Sequence, residues 1–551
     1  MLWLFGSKTF RSLVQFFGLF CLCLLLVVSC GRRPTNTTTP TAQSNSGRVT
    51  VGMTIKPRTL DPADAYELAS TSVLYSLGDR LYTYKLGTTQ IEPQLATALP
   101  KVSLDGKTYT ITLRQGVVFH DGTPFNAQAM AFSLERFIKN GGKPSSLIAD
   151  IVESVKASRE YELTIKLKNA FAPFPAVLAY AGLCAVSPKA YEIGGGKFNP
   201  TKFVGTGPYK LAEFNPNLIR LDVFEKYWGE KPPNQGIDFQ FLTSSANLFN
   251  AFRTGGIDIA YETLDPDQIA KLQTDAASGG WQVLETKGNV VNYMVLNTKS
   301  EPLNKVEVRQ AIASLLNRPL IVERVLRNQG EPAYSMIPNT FDVSKPTYKD
   351  AYGDGSNIAK AKELLTKAGF SSTNPLKIEV WYPSASIIRQ QVSSTLKEYV
   401  KTQLEGVVEI ESRSEESASF FANIRKGVYQ AALVNWYPDF SDADNFIRPF
   451  LNCEKGTEKT GCEKGGSQNQ GSFYYSDRMN QLIRQQLGEQ DPQNRQKIFA
   501  EIQDIMAKEV PIIPLWQTKD YAFAKKGLQN AQLDPIQQLP LWKIQKPQVS
   551  G

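Results

Sequence analysis

Apolar and polar residues alternate along two short segments in the first third of the chain. These segments are 106–114 (GKTYTITLR) and 161–168 (YELTIKLK). Because a period of two places every second side chain on the same face, both segments predict half-buried β-strands.

Helical periodicity appears in three segments that each begin with a residue suited to cap a helix. They start at Asn126, Asn357 and Asp491, and Pro492 falls in the first turn of the third, where its missing N–H is tolerated. Gly369 is expected to end the second helix, since glycine readily adopts the left-handed conformation. Strand and helix patterns are interspersed along the chain, which indicates an α/β or α+β fold with several sheets.

The first 29 residues have the pattern of a secretory signal. Lys8 and Arg11 precede a long apolar run, which ends at 27–30 (VVSC). This ending resembles the bacterial lipobox, which implies that Cys30 is lipidated and becomes the new N-terminus. The alternative is a transmembrane anchor, because the run approaches the length that spans a bilayer. The polar segment that begins directly after Cys30 favours the lipoprotein.

Residues 30–47 are rich in Thr, Pro, Ser and Asn and have no apolar period, which predicts a disordered tether. Coil statistics give such a segment a mean reach of about 20–25 Å. The folded body is therefore expected on the periplasmic or cell-surface side, anchored by lipid to a bacterial membrane.

Composition narrows the classes of function. Of the 551 residues, 42% are hydrophobic and 21% are charged, a globular balance that excludes a disordered or fibrous protein. The net charge of +8 is spread along the chain without a basic block, so no nucleic-acid partner is predicted. A single histidine, His120, argues against a His-rich metal site or a His-based triad, and we expect it to be structural.

Cys453 and Cys462 bracket the polar segment CEKGTEKTGC. In an exported protein this spacing predicts a small disulfide-closed loop. The alternative is a metal site, but a nine-residue spacing with no nearby histidine suits zinc poorly. Cys184 lies in an apolar stretch and is predicted to be a buried free thiol.

Five segments, in collinear order, resemble the extracellular solute-binding proteins of bacterial ABC importers, family 5, which include the oligopeptide, dipeptide and nickel binders. The segments are 113–136 (LRQGVVFHDGTPFNAQAMAFSLER), 204–229 (VGTGPYKLAEFNPNLIRLDVFEKYWG), 296–317 (LNTKSEPLNKVEVRQAIASLLN), 359–370 (AKAKELLTKAGF) and 472–482 (SFYYSDRMNQL). The resemblance extends over about residues 50 to 540.

The resemblance implies an α/β fold of the two-lobed, type II periplasmic-binding-protein kind, with an extra domain in lobe one. The chain is expected to cross to the second lobe near 288–297 and to return near 511–517. The implied divisions are lobe one (48–290 and 514–551), its additional domain (82–190) and lobe two (291–513). A ligand that contacts both lobes would stabilise their closed arrangement.

The segment 435–446 (NWYPDFSDADNF) resembles the family stretch G-W-x-x-D-x-x-D-P-D-N-F. The resemblance implies that Asp439 holds the α-ammonium of a bound peptide and that Trp436 lines the cleft. A buried ammonium needs a carboxylate to offset its lost hydration, and an aromatic ring suits varied side chains. Asn435 and Ala443 depart from the family pattern, which has Gly and Pro there. The alternatives are an acidic surface loop or a calcium site formed by the three aspartates Asp439, Asp442 and Asp444.

Two further residues are assigned by the same resemblance. Arg389 would clamp the carboxylate of the peptide, because a guanidinium binds carboxylates through two hydrogen bonds. Its alternative interpretation is a solvated helix residue. Trp516 would line the cleft at the return crossing, and its alternative is a core residue.

The predicted function is capture of short peptides and their delivery to the transmembrane subunits of an ABC permease. The protein is expected to be a monomer that needs no cofactor and has no catalytic residues. One alternative is the same fold binding a nickel chelate, haem or a sugar-type ligand. Others are an exported glycosidase that uses two carboxylates, or a surface role such as adhesion or chaperoning.

Overall fold

The computed structural model describes residues 47–261 and 263–547. The predicted signal peptide, almost all of the predicted tether and the lipidation site at Cys30 lie outside the described residues. Within the described residues, no helix is both long enough and apolar enough to cross a membrane.

Strands form in every third of the described chain. They are β1 (Val49–Met53), β2 (Tyr82–Tyr84), β3 (Ile91–Pro93), β4 (Lys101–Val102), β5 (Thr108–Thr112), β6 (Val152–Arg159), β7 (Glu162–Leu167), β8 (Tyr209–Phe214), β9 (Leu218–Val223), β10 (Ile237–Phe241), β11 (Ile259–Tyr261), β12 (Trp281–Leu296), β13 (Gly330–Pro332), β14 (Leu376–Pro383), β15 (Val408–Glu415), β16 (Ala431–Trp436), β17 (Cys453–Thr457), β18 (Gly461–Gly465) and β19 (Ile512–Lys525).

The α-helices are distributed between these strands. Their bounds are Leu68–Leu77, Ala127–Asn140, Ser146–Ala149, Phe174–Val177, Ser245–Thr254, Pro266–Gly279, Val306–Leu315, Arg318–Arg324, Thr347–Tyr352, Ile358–Lys367, Ile387–Leu404, Ser417–Lys426, Arg448–Leu451, Gly466–Asn469, Asp477–Gly488 and Pro492–Glu509. Short 3₁₀ helices lie at Ala181–Leu183, Ala443–Phe446 and Leu541–Lys543.

One large sheet runs through the molecule in the order β15-β14-β16-β12-β19-β11-β1-β10-β9-β8, with β13 paired to β19. We call the side built on β1 and β8–β11 the first lobe, and the side built on β14–β16 the second lobe. The long strands β12 and β19 lie between them and belong to both. A separate sheet, β4-β5-β7-β6, lies within the first-lobe part of the chain.

The strands and helices predicted from local patterns are confirmed. β5 and β7 pair antiparallel at the two alternating segments. Asn126 accepts a hydrogen bond from the backbone N–H of the third residue after it, and Asn357 and Asp491 do the same, each at 2.8–3.0 Å. Each capping side chain thus satisfies one of the free N–H groups at its helix N-terminus.

The crossing strands β12 and β19 pair antiparallel, but their register breaks between Lys287 and Val291. At this break the Gln517 Nε2 donates to the Gly288 carbonyl oxygen at 2.6 Å. A Cβ on Gly288 would lie 2.3 Å from Asp520 Oδ2, so a larger residue here would displace the Asp520 side chain. A second shift follows between Asn292 and Tyr293, so the two connecting strands depart from a regular ladder over residues 287–293.

Two of the signature segments meet at His120. Its Nε2 lies 3.1 Å from the Gly207 carbonyl oxygen, and the Gly205 N–H donates to its Nδ1 at 3.3 Å. Burial lowers the pKa of His120 to about 4, so the imidazole is neutral at pH 7. A Cβ on Gly207 would lie 2.5 Å from the Leu77 carbonyl carbon, which explains the glycine. The predicted structural role of His120 is confirmed by these contacts.

The second signature segment is also held by a buried carboxylate. Asp79 accepts from Thr206 Oγ1 at 3.0 Å and from Trp228 Nε1 at 2.8 Å. Burial raises the pKa of Asp79 to about 6, against the effect of these donors. The GTGPY turn and the YWG motif therefore share one structural partner within the first lobe.

The cysteine predictions are confirmed. Cys453 and Cys462 form a disulfide across the β17–β18 hairpin, with their Cα atoms 5.6 Å apart. Cys184 is a buried free thiol, and burial raises its pKa to about 12.

Candidate functional site

Asp439 lies just after β16, in the wall of a cavity of about 460 Å³ between the two lobes. We call this space the tyrosine cavity, because tyrosines from both lobes line it. The first lobe supplies Tyr66, Tyr75, Tyr84 and Tyr180, and the second lobe supplies Tyr437 near Asp439. Such walls offer a large apolar area with hydroxyl groups at defined points.

The Asp439 carboxylate is bridged to the opposite lobe by a hydroxyl group. Tyr66 Oη donates to Asp439 Oδ1 at 2.5 Å. Burial raises the pKa of Asp439, and the hydrogen bond from Tyr66 offsets part of that rise. Within the described residues, Asp439 takes part in no ion pair. The Arg448 cation also acts on Asp439 and lowers its pKa, but it is paired with Asp444 and forms no ion pair with Asp439.

The neighbouring aspartates are already paired with arginines. Asp442 receives two hydrogen bonds from Arg495, each of 2.7 Å, and Asp444 receives one of 2.9 Å from Arg448. The Asp444 side chain is fully buried, so the segment is not an acidic surface loop. In the described part of the chain no group of three or more His, Cys, Asp or Glu side chains is placed to hold a metal. The calcium alternative thus does not fit this geometry.

The Trp436 side chain contacts the residues that hold the Asp439 loop in place. Its Nε1 donates to Asn445 Oδ1 at 3.0 Å, and the same oxygen accepts from the Asp439 N–H at 3.1 Å. The Trp436 ring packs edge-on against Phe450, with 5.1 Å between centroids. Tyr437 follows the end of β16 and lines the cavity, whereas Trp436, the last residue of the strand, does not line it. The structure therefore does not place the Trp436 ring where the resemblance implies it.

Arg389 lies in the first turn of the helix Ile387–Leu404, outside the tyrosine cavity. Its Nη2 donates to Asn435 Oδ1 at 2.5 Å, and its Nη1 donates to Ser386 Oγ at 3.0 Å. Its Nε is buried without a partner, and burial lowers the pKa of the group. No carboxylate pairs with Arg389 among the described residues. The side chain is half-buried, so it is not the solvated residue of the alternative interpretation.

Trp516 is only 3% exposed and belongs to the second-lobe core. It lies within β19, opposite Asn292 of β12. This position corresponds to the alternative interpretation, a core residue, and not to the cleft-lining role. The indole is large and apolar, so burial in the shared sheet stabilises the fold.

Sequence reasoning missed the first-lobe half of the site. Tyr66 is separated from Asp439 by 373 residues, and Tyr84 and Tyr180 come from still other elements. Asn289, at the register break of β12, also lines the cavity. No local pattern marks these residues, because only the folded chain brings them together.

A second cavity, of about 550 Å³, adjoins the first one. The two share Ser441 and Pro535, and the second is lined by the polar loop 87–90, Lys287 and Thr340 among others. The Ser441 N–H donates to Tyr84 Oη at 3.1 Å, a second hydrogen bond between the lobes. Ser441 and Pro535 thus lie at the boundary between the two cavities.

Known proteins resemble the chain over most of its length. It is 25% identical over 498 residues to the dipeptide-binding protein of Escherichia coli, covering 85% of this chain and 88% of that protein. It is 26% identical over 510 residues to heme-binding protein A of Haemophilus influenzae, with 87% and 89% covered.

A solved structure confirms the predicted two-lobed fold of type II periplasmic binding proteins. The periplasmic binding protein DppA from Helicobacter pylori, in complex with the peptide STSA, matches with a TM-score of 0.70 and 24% identity. The match covers 90% of this chain and 98% of that one. At this identity the likeness establishes the fold alone.

A family model also matches the sequence directly. Residues 90–458, more than half of the chain, match the model described as bacterial extracellular solute-binding proteins, family 5 middle. The predicted resemblance is therefore confirmed, and the chain belongs to the bacterial extracellular solute-binding proteins of family 5.

Proposed function

We propose that this protein captures short peptides between its lobes and delivers them to an ABC permease. The observation that carries the proposal is the Asp439 carboxylate, which lies in an interlobe cavity and forms no ion pair with another described residue. A peptide ammonium supplies the missing charge and donates hydrogen bonds. The similarity to a dipeptide-binding protein supports the same ligand class.

The opposite end of a peptide has a second candidate partner. Arg389 is half-buried, its Nε has no partner, and no carboxylate neutralises it among the described residues. A peptide carboxylate would satisfy this guanidinium, after displacing the Asn435 amide from Nη2. We therefore assign Arg389 to the carboxyl end of a ligand that extends past Tyr437. Trp436 acts through Asn445, by holding the Asp439 loop.

Closure follows from the position of the ligand. Tyr66 of the first lobe and Asp439 of the second lobe meet directly, so a ligand ammonium at Asp439 contacts both sides. A ligand shifts the open–closed equilibrium only by its differential affinity for the two states, and an interlobe ligand has that property. In this proposal the register break in β12 and β19 is the hinge, and the lobes have the divisions 48–290 with 514–551, and 291–513.

The remaining features of the proposal concern location and partners. The protein is lipidated at Cys30, remains on the periplasmic or cell-surface side, and meets the transmembrane subunits of its permease as a monomer. The sequence pattern of residues 1–47 supports the anchor.

Intrinsic fluorescence titration tests the ligand class. The purified protein is titrated with peptides of two to five residues, including trialanine, and in parallel with nickel chelates and haem. Saturable binding of unmodified peptides supports the proposal. Binding of haem or a nickel chelate, with no response to any peptide, would replace it with the alternative ligand class.

Peptide affinity should depend on pH through Asp439. Burial raises the pKa of the free carboxylate, so affinity should begin to fall at a higher pH than about 3.9, the value of an ordinary aspartate. Below the raised pKa the loss is about tenfold per pH unit, because the protonated acid must first ionise. Calorimetric titration of trialanine from pH 7 to pH 4 measures this. In Asp439→Asn the dependence should be absent, and an identical dependence in that variant would assign it to another group.

A further inference from the structure

The side-chain amide of Asn289 is buried and only half satisfied. The residue is 2% exposed, and its Oδ1 accepts a hydrogen bond of 2.5 Å from Thr340 Oγ1. Its Nδ2 has no hydrogen-bond partner and no contact with solvent. A buried N–H donor without an acceptor is costly, and such groups are uncommon in folded proteins.

The position of this amide points to an acceptor that arrives from the cleft. Asn289 lines the tyrosine cavity together with Asp439, while Thr340 lines the adjoining cavity. The bond between Thr340 and Asn289 turns the amide oxygen toward Thr340 and satisfies it. The group that remains is the N–H donor.

We propose that Asn289 is a ligand-binding residue whose Nδ2 donates to a carbonyl oxygen of the ligand held by Asp439. The inference rests on the proposed peptide function and restricts the ligands that the site can bind. The ligand must carry a hydrogen-bond acceptor close to its ammonium, as an α-aminoacyl group does and a simple alkylamine does not. Asp439 selects ligands with an ammonium group, and Asn289 selects those with a carbonyl oxygen close to that ammonium.

Asn289 also has a mechanical consequence. It lies within the register break of β12, between Lys287 and Val291. The closed arrangement without ligand leaves its donor unpaired, and a ligand oxygen supplies the partner. Ligand contact at Asn289 therefore favours closure at the point where the crossing strands are irregular.

A thioamide comparison tests the inference. The probe is trialanine, and its analogue carries sulfur in place of the first peptide oxygen, which makes a weaker acceptor. Calorimetry is performed on the wild type, on Asn289→Leu and on Asn289→Asp. We expect the analogue to bind the wild type about tenfold more weakly than trialanine does, as for one lost buried hydrogen bond. Asn289→Leu should bind trialanine about tenfold more weakly and barely distinguish it from the analogue.

Asn289→Asp serves as a second variant of nearly the same size. It retains an oxygen for Thr340, but presents a second oxygen to the ligand carbonyl, so trialanine should again bind at least about tenfold more weakly. Urea unfolding without ligand checks that both variants are folded.

The outcomes separate the two proposals. Full trialanine affinity in both Asn289 variants, with weakened binding in Asp439→Ala, would overturn the role of Asn289 and retain the peptide function. Absence of wild-type binding to trialanine and to every other peptide of two to five residues would overturn both. An equal loss for both probes in Asn289→Leu, with wild-type discrimination between them retained, would assign Asn289 a purely structural role and so also contradict the inference.

Discussion

Asp439→Ala should weaken trialanine binding by about 3–5 kcal/mol, because the variant leaves the peptide ammonium in the closed cavity without its counter-charge. The tyrosine walls cannot replace a carboxylate, and Tyr66 loses its hydrogen-bond acceptor at the same time. Calorimetric titration at pH 7 measures the change in binding free energy.

Glu411→Ala is the control for the loss of one negative charge from the same lobe. Glu411 is half-exposed and pairs with Arg413 on the surface, so its removal should change affinity by less than about 0.5 kcal/mol. Equal affinities of Asp439→Ala and wild type would refute the assignment of Asp439.

Asp61→Ala should lower the free energy of unfolding by about 3–5 kcal/mol, the range for breaking a buried ion pair. Asp61 receives two hydrogen bonds from Arg136, of 2.8 and 2.7 Å, and both side chains are almost fully buried. Removal of the carboxylate leaves a buried guanidinium without a charge partner. Urea denaturation, followed by tryptophan fluorescence, measures the change.

The helix Ala127–Asn140, which carries Arg136, also carries an ion pair on its surface that serves as the control. Lys139 binds Glu135 one turn away, and the Lys139 side chain is exposed while that of Glu135 is partly exposed. Lys139→Ala should change the free energy of unfolding by no more than about 0.5 kcal/mol, since solvent screens such pairs. If Asp61→Ala were as mild as this control, the buried pair would not be a main stabilising contact of the first lobe.

Features with a local cause could be predicted from the sequence. The helix caps at Asn126, Asn357 and Asp491 each involve atoms of residues only three positions apart. The local sequence is therefore sufficient to predict them. The disulfide likewise closes a short hairpin. The family signature, in turn, reflects contacts that hold the fold, such as those of His120 and Asp79.

The site could be predicted only in part. Asp439 was identified through a continuous motif, and the structure places it in an interlobe cavity. The positions of Trp436 and Trp516 depend on which strand face turns toward the cleft, and a motif does not specify that. Tyr66 and Asn289 carry no local signal at all, because only the folded chain brings them to the cavity that Asp439 lines.

The central claim is that an interlobe carboxylate recognises the free amine of a peptide. The most direct measurement compares trialanine with N-acetyl-trialanine by calorimetry, on the wild type and on Asp439→Asn. We expect acetylation to weaken wild-type binding by at least about a hundredfold, equivalent to some 2.7 kcal/mol, and to have little effect in the variant. Equal affinity of the wild type for the two peptides would contradict the claim.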